Sequence, residues 1–159
     1  MSLICIGIVH GVSAGKATEL LKNELEVLAR SLSIGVQFDG FFQEPFIESY
    51  EFHKGIFAFN IADNFSYLNC EHLLRADWCN AEEESEWGTL RERLNKINAM
   101  LRCAYEYGSQ AELFIGESGD ELDDFQQIYT SLDDMRDDIV AAYREAKMEP
   151  CVHLLIRRH

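Results

Sequence analysis

Gly11-Val12-Ser13-Ala14-Gly15 has the G-x-S-x-G spacing of a nucleophile elbow, a tight strand-to-helix turn that projects a serine toward an acyl group. The flanking order fits, because an apolar run ends at Val9-His10 and a helical pattern begins just after Lys16. The position does not. The elbow of an α/β-hydrolase follows several earlier elements, one of which supplies an oxyanion amide, whereas Ser13 follows the first strand of a short chain of 159 residues. His10, His53 and His153 are candidate bases, but no spacing brings any of them to Ser13. The segment reads instead as a glycine-rich turn in which Ser13 caps the next helix.

The same turn imitates a phosphate loop. Three residues separate Gly11 from Gly15 where the Walker pattern has four, and Ala17 stands where a hydroxyl should hold magnesium. What survives is a general anion site, in which Ser13, Gly15 and Lys16 would offer free N–H groups and a cation at a helix N-terminus. Two Cys-x-His pairs, Cys70-Glu71-His72 and Cys151-Val152-His153, carry zinc-ligand chemistry at too short a spacing for a structural zinc site. On a strand, Cys151 and His153 would share one face. No metal, cofactor or catalytic residue is expected.

Carboxylates are the other abundant chemistry. Asp and Glu number 28 against 14 Lys and Arg, a net charge of −14. Such a field repels nucleic-acid phosphate and anionic membrane and favours a basic partner. Glu82, Glu83, Glu84 and Glu86 open a helix, where they oppose its dipole and need no further role. The second cluster comprises Glu117, Asp120, Glu121, Asp123 and Asp124, then Asp133, Asp134, Asp137 and Asp138, with Arg136 the only basic residue near it in the chain. Its spacing is not that of a calcium loop. It is either a solvated face or a surface that meets a basic protein. Phe41 and Phe42, beside Gly40, would serve as aromatic anchors if exposed.

The elements that must position these groups follow from periodicity. Leu3 to Val9 is apolar on both alternating faces and predicts a central strand. Leu20, Leu21, Leu25, Leu28 and Leu32 predict a helix over 17–32. Strands are expected around Val36–Phe38, Phe46–Phe52 and Ile56–Ile61, joined at Gly40 and at Lys54-Gly55. Residues 62–79 show no clean period and read as loop with a short helix. Trp87, Leu90, Leu94, Ile97, Leu101 and Ala104 predict a long helix over 81–107, with Asn80 and Glu83 as a capping box, or with a start at Ser85, and Gly108 at its C′ position. Ala111–Ile115 and Phe125–Thr130 are expected to pair as a hairpin around the acidic loop. Ser131 and Asp134 open a last helix with Leu132, Met135, Ile139, Ala142 and Ala146 as its stripe, and Cys151–Ile156 closes the chain as a strand. The fold class is α+β: one domain over 1–159 with a mixed, largely antiparallel sheet and about three helices packed on it.

The last third, ELFIGESGDELDDFQQIYTSLDDMRDDIVAAYREAKMEPCVHLLI, resembles small acidic bacterial immunity proteins that neutralise secreted or contact-delivered toxins. The resemblance rests on acidity, size and layout and carries no diagnostic motif. It implies a non-enzymatic domain that occludes the active site of a basic toxin. The competing expectation is a small enzyme or sensor that takes a phosphorylated or anionic metabolite at the Gly11–Lys16 turn.

The short apolar N-terminus lacks a basic flank and is too short to span a membrane, so a cytoplasmic monomer or weak dimer is expected. Five cysteines, an odd number without an export signal, read as reduced and mostly buried thiols. The melting temperature should therefore be the same with and without thiol reductant or chelator. A drop of several degrees in either reagent counts against the reading.

Overall fold

Leu3 to Val9 is apolar at every position, so this strand needs a neighbour on each edge and cover on each face. A computed structural model describes residues 3–13, 15–38, 56–64, 70–75, 84–117, 120, 122–146 and 151–157, and it meets that demand. β1 (Leu3–His10) lies between β3 (Ile56–Ala62) and β4 (Gln110–Glu117) and is antiparallel to both. With β2 (Gly35–Gln37), β5 (Gln126–Thr130) and β6 (Val152–Ile156) it forms, among the described residues, a mixed six-stranded sheet in the order β2-β3-β1-β4-β6-β5. Four described helices, α1 (Lys16–Ser31), the short α2 (Glu71–Leu74), α3 (Glu84–Tyr105) and α4 (Met135–Ala146), complete an α+β fold. Phe46–Phe52, expected as a strand, lies outside the described residues.

The helices contribute to one face. Leu3, Cys5 and Val9 of β1 pack there with Leu113, Ile115, Leu154 and the buried stripes of the helices. Ile6 and Ile8 point the other way and form a second, smaller cluster with Phe114 and Phe125. Alternation along a single strand thus divides the core in two.

Trp87, Leu90, Leu94, Ile97, Leu101 and Ala104 of α3 are all buried, as their spacing predicts. The Asn80–Glu83 cap lies outside the described residues. Gly108 is not the C′ residue of α3, since the helix ends at Tyr105. A Cβ on it would collide with the Val9 side chain and the His10 carbonyl oxygen, so it serves close packing instead. In α1, Leu21, Leu25 and Ala29 are buried, but Leu20 is 47% exposed. Neighbouring helix positions differ by about 100°, so the pair cannot both face the core squarely. Ser13 does not cap α1. Gly15 holds the N-cap position with φ 82°, a conformation that favours glycine, and the Ser13 carbonyl accepts the Thr18 hydroxyl at 3.0 Å. The Asp63 carboxylate caps α2 by accepting the His72 and Leu73 N–H groups at 2.8 and 3.1 Å.

The C-terminal third departs from the expected hairpin. β6 lies between β4 and β5, antiparallel to the first and parallel to the second. Four of the five β6 residues are buried, whereas the edge strand β5 is exposed or half-buried throughout. A strand apolar on both faces gains most from two neighbours, and β5-α4-β6 provides the crossover that a parallel pair needs. α4 begins at Met135, three residues later than the expected Ser131 cap implies, and the Ser131 hydroxyl accepts the Asp134 N–H at 3.2 Å in the turn that leads into it. Its stripe ends differently. Ala146 is exposed, and Tyr143, four residues after Ile139, is fully buried and donates to the Leu74 carbonyl at 2.5 Å.

Gly7 sits opposite Phe59 in the β1–β3 ladder, and a Cβ on Gly7 would lie 2.5 Å from the tip of that ring. Gly7→Ala should cost about 1–3 kcal/mol by overpacking. Phe59→Leu in the same chain should recover part of that loss, because the two sites share one volume. Additive losses in denaturant titrations would refute the contact.

Candidate functional site

Burying a carboxylate is costly unless hydrogen bonds and opposite charge compensate it. Glu112 stands in the middle of β4 between apolar neighbours and points to the face opposite the helices, where its side chain is 7% exposed. The registers of β1, β4 and β6 explain how it is tolerated. Ile8 is opposite Glu112 and His10 opposite Gln110, so His10 lies on one diagonal of Glu112. Leu155 is opposite Glu112 and His153 opposite Phe114, which places His153 on the other diagonal. Diagonal neighbours on one sheet face are within reach of long side chains.

Each histidine takes one carboxylate oxygen. His10 Nε2 donates to Glu112 Oε2 at 2.5 Å, and His153 Nε2 donates to Oε1 at 2.6 Å. An ionised carboxylate can only accept, so each ring donates from Nε2. Burial pushes the Glu112 carboxyl up, but the bonds and charge of His153 and then His10 outweigh it and hold the group below the usual carboxylate range. The His153 ring also stacks on Phe114, centroids 4.0 Å apart at 12°. His10 is the member that solvent reaches, with a side chain 31% exposed against 10% for His153. A carboxylate that orients an imidazole within reach of solvent is an arrangement suited to acid–base chemistry.

Sequence reasoning named His10, His53 and His153 as candidate bases for Ser13 and passed over Glu112; His53 lies outside the described residues. The available signal was a lone carboxylate inside the apolar run Ala111–Ile115, where an unpartnered charge would be costly.

The acidic cluster is only partly brought together. Asp120 turns inward, accepting the Glu117 N–H at 2.7 Å and the Cys151 thiol at 3.4 Å. Asp138 accepts the Thr130 hydroxyl at 2.6 Å, and Asp134 lies in the turn that leads into α4. Asp133 pairs with Arg102 at 2.9 Å, and Asp137 with Arg91 at 3.4 Å. Arg136 is therefore not the only basic residue near the cluster, because α3 packs beside α4 and supplies two more. Asp123 and Asp124 are exposed just before β5, and Glu117 is half-buried. Glu121, Phe41 and Phe42 lie outside the described residues. Ser13, Gly15 and Lys16 are all exposed around the N-terminus of α1.

Cys151 and His153 do share a face, but one turns to Asp120 and the other to Glu112. Among the described residues no group of three or more ligand-type side chains is arranged to hold a metal ion. Cys5, Cys70, Cys103 and Cys151 are free thiols. Burial and the Asp120 carboxylate push the Cys151 thiol up to about 12, and burial with Glu24 pushes Cys103 up to about 11. Neither is a thiolate near neutral pH.

A carboxyl held below its unfolded value contributes stability above that value, about 4.3 for Glu, and the contribution is lost as pH falls through the folded value. Glu112→Gln should cost about 1–3 kcal/mol near neutral pH and should flatten the fall in stability below pH about 4. Denaturant titrations at stepped pH check both; an unchanged acid limb would mean the carboxylate is not held by the imidazoles. No protein-family model, no curated protein and no solved structure matches this chain.

Proposed function

We propose that the protein is a non-enzymatic, acidic protein-binding domain, and specifically an immunity protein that occludes the basic active site of a toxin. The observation that carries this reading is the exposed carboxylate surface at the β5–α4 corner. Asp123 and Asp124 are exposed, and Asp133 and Asp137 keep side chains 73% and 64% exposed even while they bridge to arginines. Exposed pairs of that kind add little to fold stability. Exposed carboxylates within a net charge of −14 suit long-range steering of a basic protein. Free thiols fit a cytoplasmic site of action, and no helix of the described residues is long and apolar enough to cross a membrane.

A second reading has one observation in its favour. His10, its tautomer set by Glu112, immediately precedes the Gly11–Lys16 turn, and the pair would serve an enzyme or sensor for a phosphorylated or anionic metabolite. Inorganic phosphate that raises the melting temperature of the protein but not of His10→Ala would favour it.

Asp120→Asn would disturb the turn it caps, so the charge test uses Asp123→Asn with Asp124→Asn. Association with a strongly basic ribonuclease, followed by stopped flow, should slow by about threefold to tenfold at low salt, and the loss should shrink as salt screens the field. The melting temperature should hold or rise slightly. Equal association rates in the two proteins at every salt concentration would remove the support for the immunity reading.

A further inference from the structure

Among the described residues β5 is an edge of the sheet, and its outer side is defined by its ladder with β6. In a parallel ladder alternate residues direct both N–H and C=O to the same neighbour. The Gln126 N–H donates to the Cys151 carbonyl at 2.9 Å, and the Thr130 carbonyl accepts the Arg157 N–H at 3.0 Å. With the register Gln126–Val152 to Thr130–Ile156, the inward residues are Gln126, Ile128 and Thr130. The backbone N–H and C=O of Gln127 and Tyr129 therefore face away from β6, along the outer edge.

We propose that this edge is the docking site for an extended, lysine- or arginine-bearing segment of a basic protein, which adds to the sheet beside β5. The proposal rests on the acidic-binder reading and names the surface and the geometry of its contact. Main-chain bonds to an exposed edge give affinity, and flanking side chains give selectivity. The flanks here are acidic at both ends: Asp123 and Asp124 are exposed before β5, and Asp134 is exposed after it. Tyr129 is 63% exposed and already carries the Arg157 guanidinium over its ring at 4.9 Å. The ring is thus a surface on which a cationic side chain rests. A second copy of the chain is the wrong occupant on charge, because each copy brings −14 to the contact. An acidic segment fails for the same reason.

The test uses the full chain and a short synthetic peptide of alternating lysine and valine. Controls are its glutamate–valine counterpart and a form of the basic peptide N-methylated at alternate residues. Amide exchange and chemical shifts are read by NMR. The basic peptide should shift the Gln127 and Tyr129 amides and slow their exchange by about tenfold or more, and N-methylation should weaken binding by about tenfold or more through lost main-chain bonds. Gln127→Pro removes one outward N–H without touching the β6 ladder and should weaken binding similarly; the N-methylated peptide makes the same test on the unaltered protein. Salt-sensitive binding of the basic peptide with no protection of these amides and no effect of N-methylation overturns the edge proposal and leaves the acidic-binder reading standing. Equal binding of the glutamate peptide overturns the charge argument and that reading with it. No peptide binding, with the basic ribonuclease still associating, overturns the edge proposal alone. Concentration-dependent dimers that protect the same amides without peptide would make a second copy the occupant and overturn the assignment.

Discussion

A strand that is apolar on both faces can be stable only inside a sheet with cover on both sides, and β1 imposes that constraint on everything around it. Its ladder with β4 runs over eight residue pairs, from Leu3–Glu117 to His10–Gln110. Leu3, Cys5 and Val9 direct the helices to one face, and Ile6 and Ile8 commit the other face to a second buried cluster. Phe59 closes over Gly7, where the strand has no side chain of its own. Each helix then needs only one apolar stripe, and the spacing of α1, α3 and α4 supplies it.

Covering the second face creates a problem that the protein solves with three residues. Glu112 lies next to the apolar surface of Ile8, Leu155 and Phe114 and would be destabilising there alone. The two imidazoles occupy its diagonal positions, one per oxygen, so the carboxylate remains ionised in a buried setting. The same bonds fix both rings, connect β1, β4 and β6 through side chains, and leave a solvent-reached histidine at the end of β1. Structure and latent acid–base capacity therefore share one cluster, which is why the metabolite reading keeps a physical basis beside the protein-binding one.

Acidic residues divide by role when the chain folds. Asp120, Asp134 and Asp138 satisfy local hydrogen bonds, while Asp133 and Asp137 meet arginines that only helix packing brings near. Asp123 and Asp124 stay on the surface. Charge as an average over the chain is thus a poor guide to its surface; exposed charge is a better one, and Asp123 and Asp124 lie just before β5, an edge strand among the described residues.

Local pattern determined the elements themselves. The central β1, the long α3, the helix α4 and the closing β6 all follow from periodicities of two and three to four, and these act within a few residues. Pairing was decided elsewhere. Nothing local distinguishes a β4–β5 hairpin from a sheet in which β6 takes the inner place, because that choice depends on which strand gains more from two neighbours once α4 has packed. The Glu112 cluster has the same origin. Its members lie 102 and 41 positions apart along the chain, so each reads locally as an isolated polar residue, and only the registers of two separate ladders make them partners.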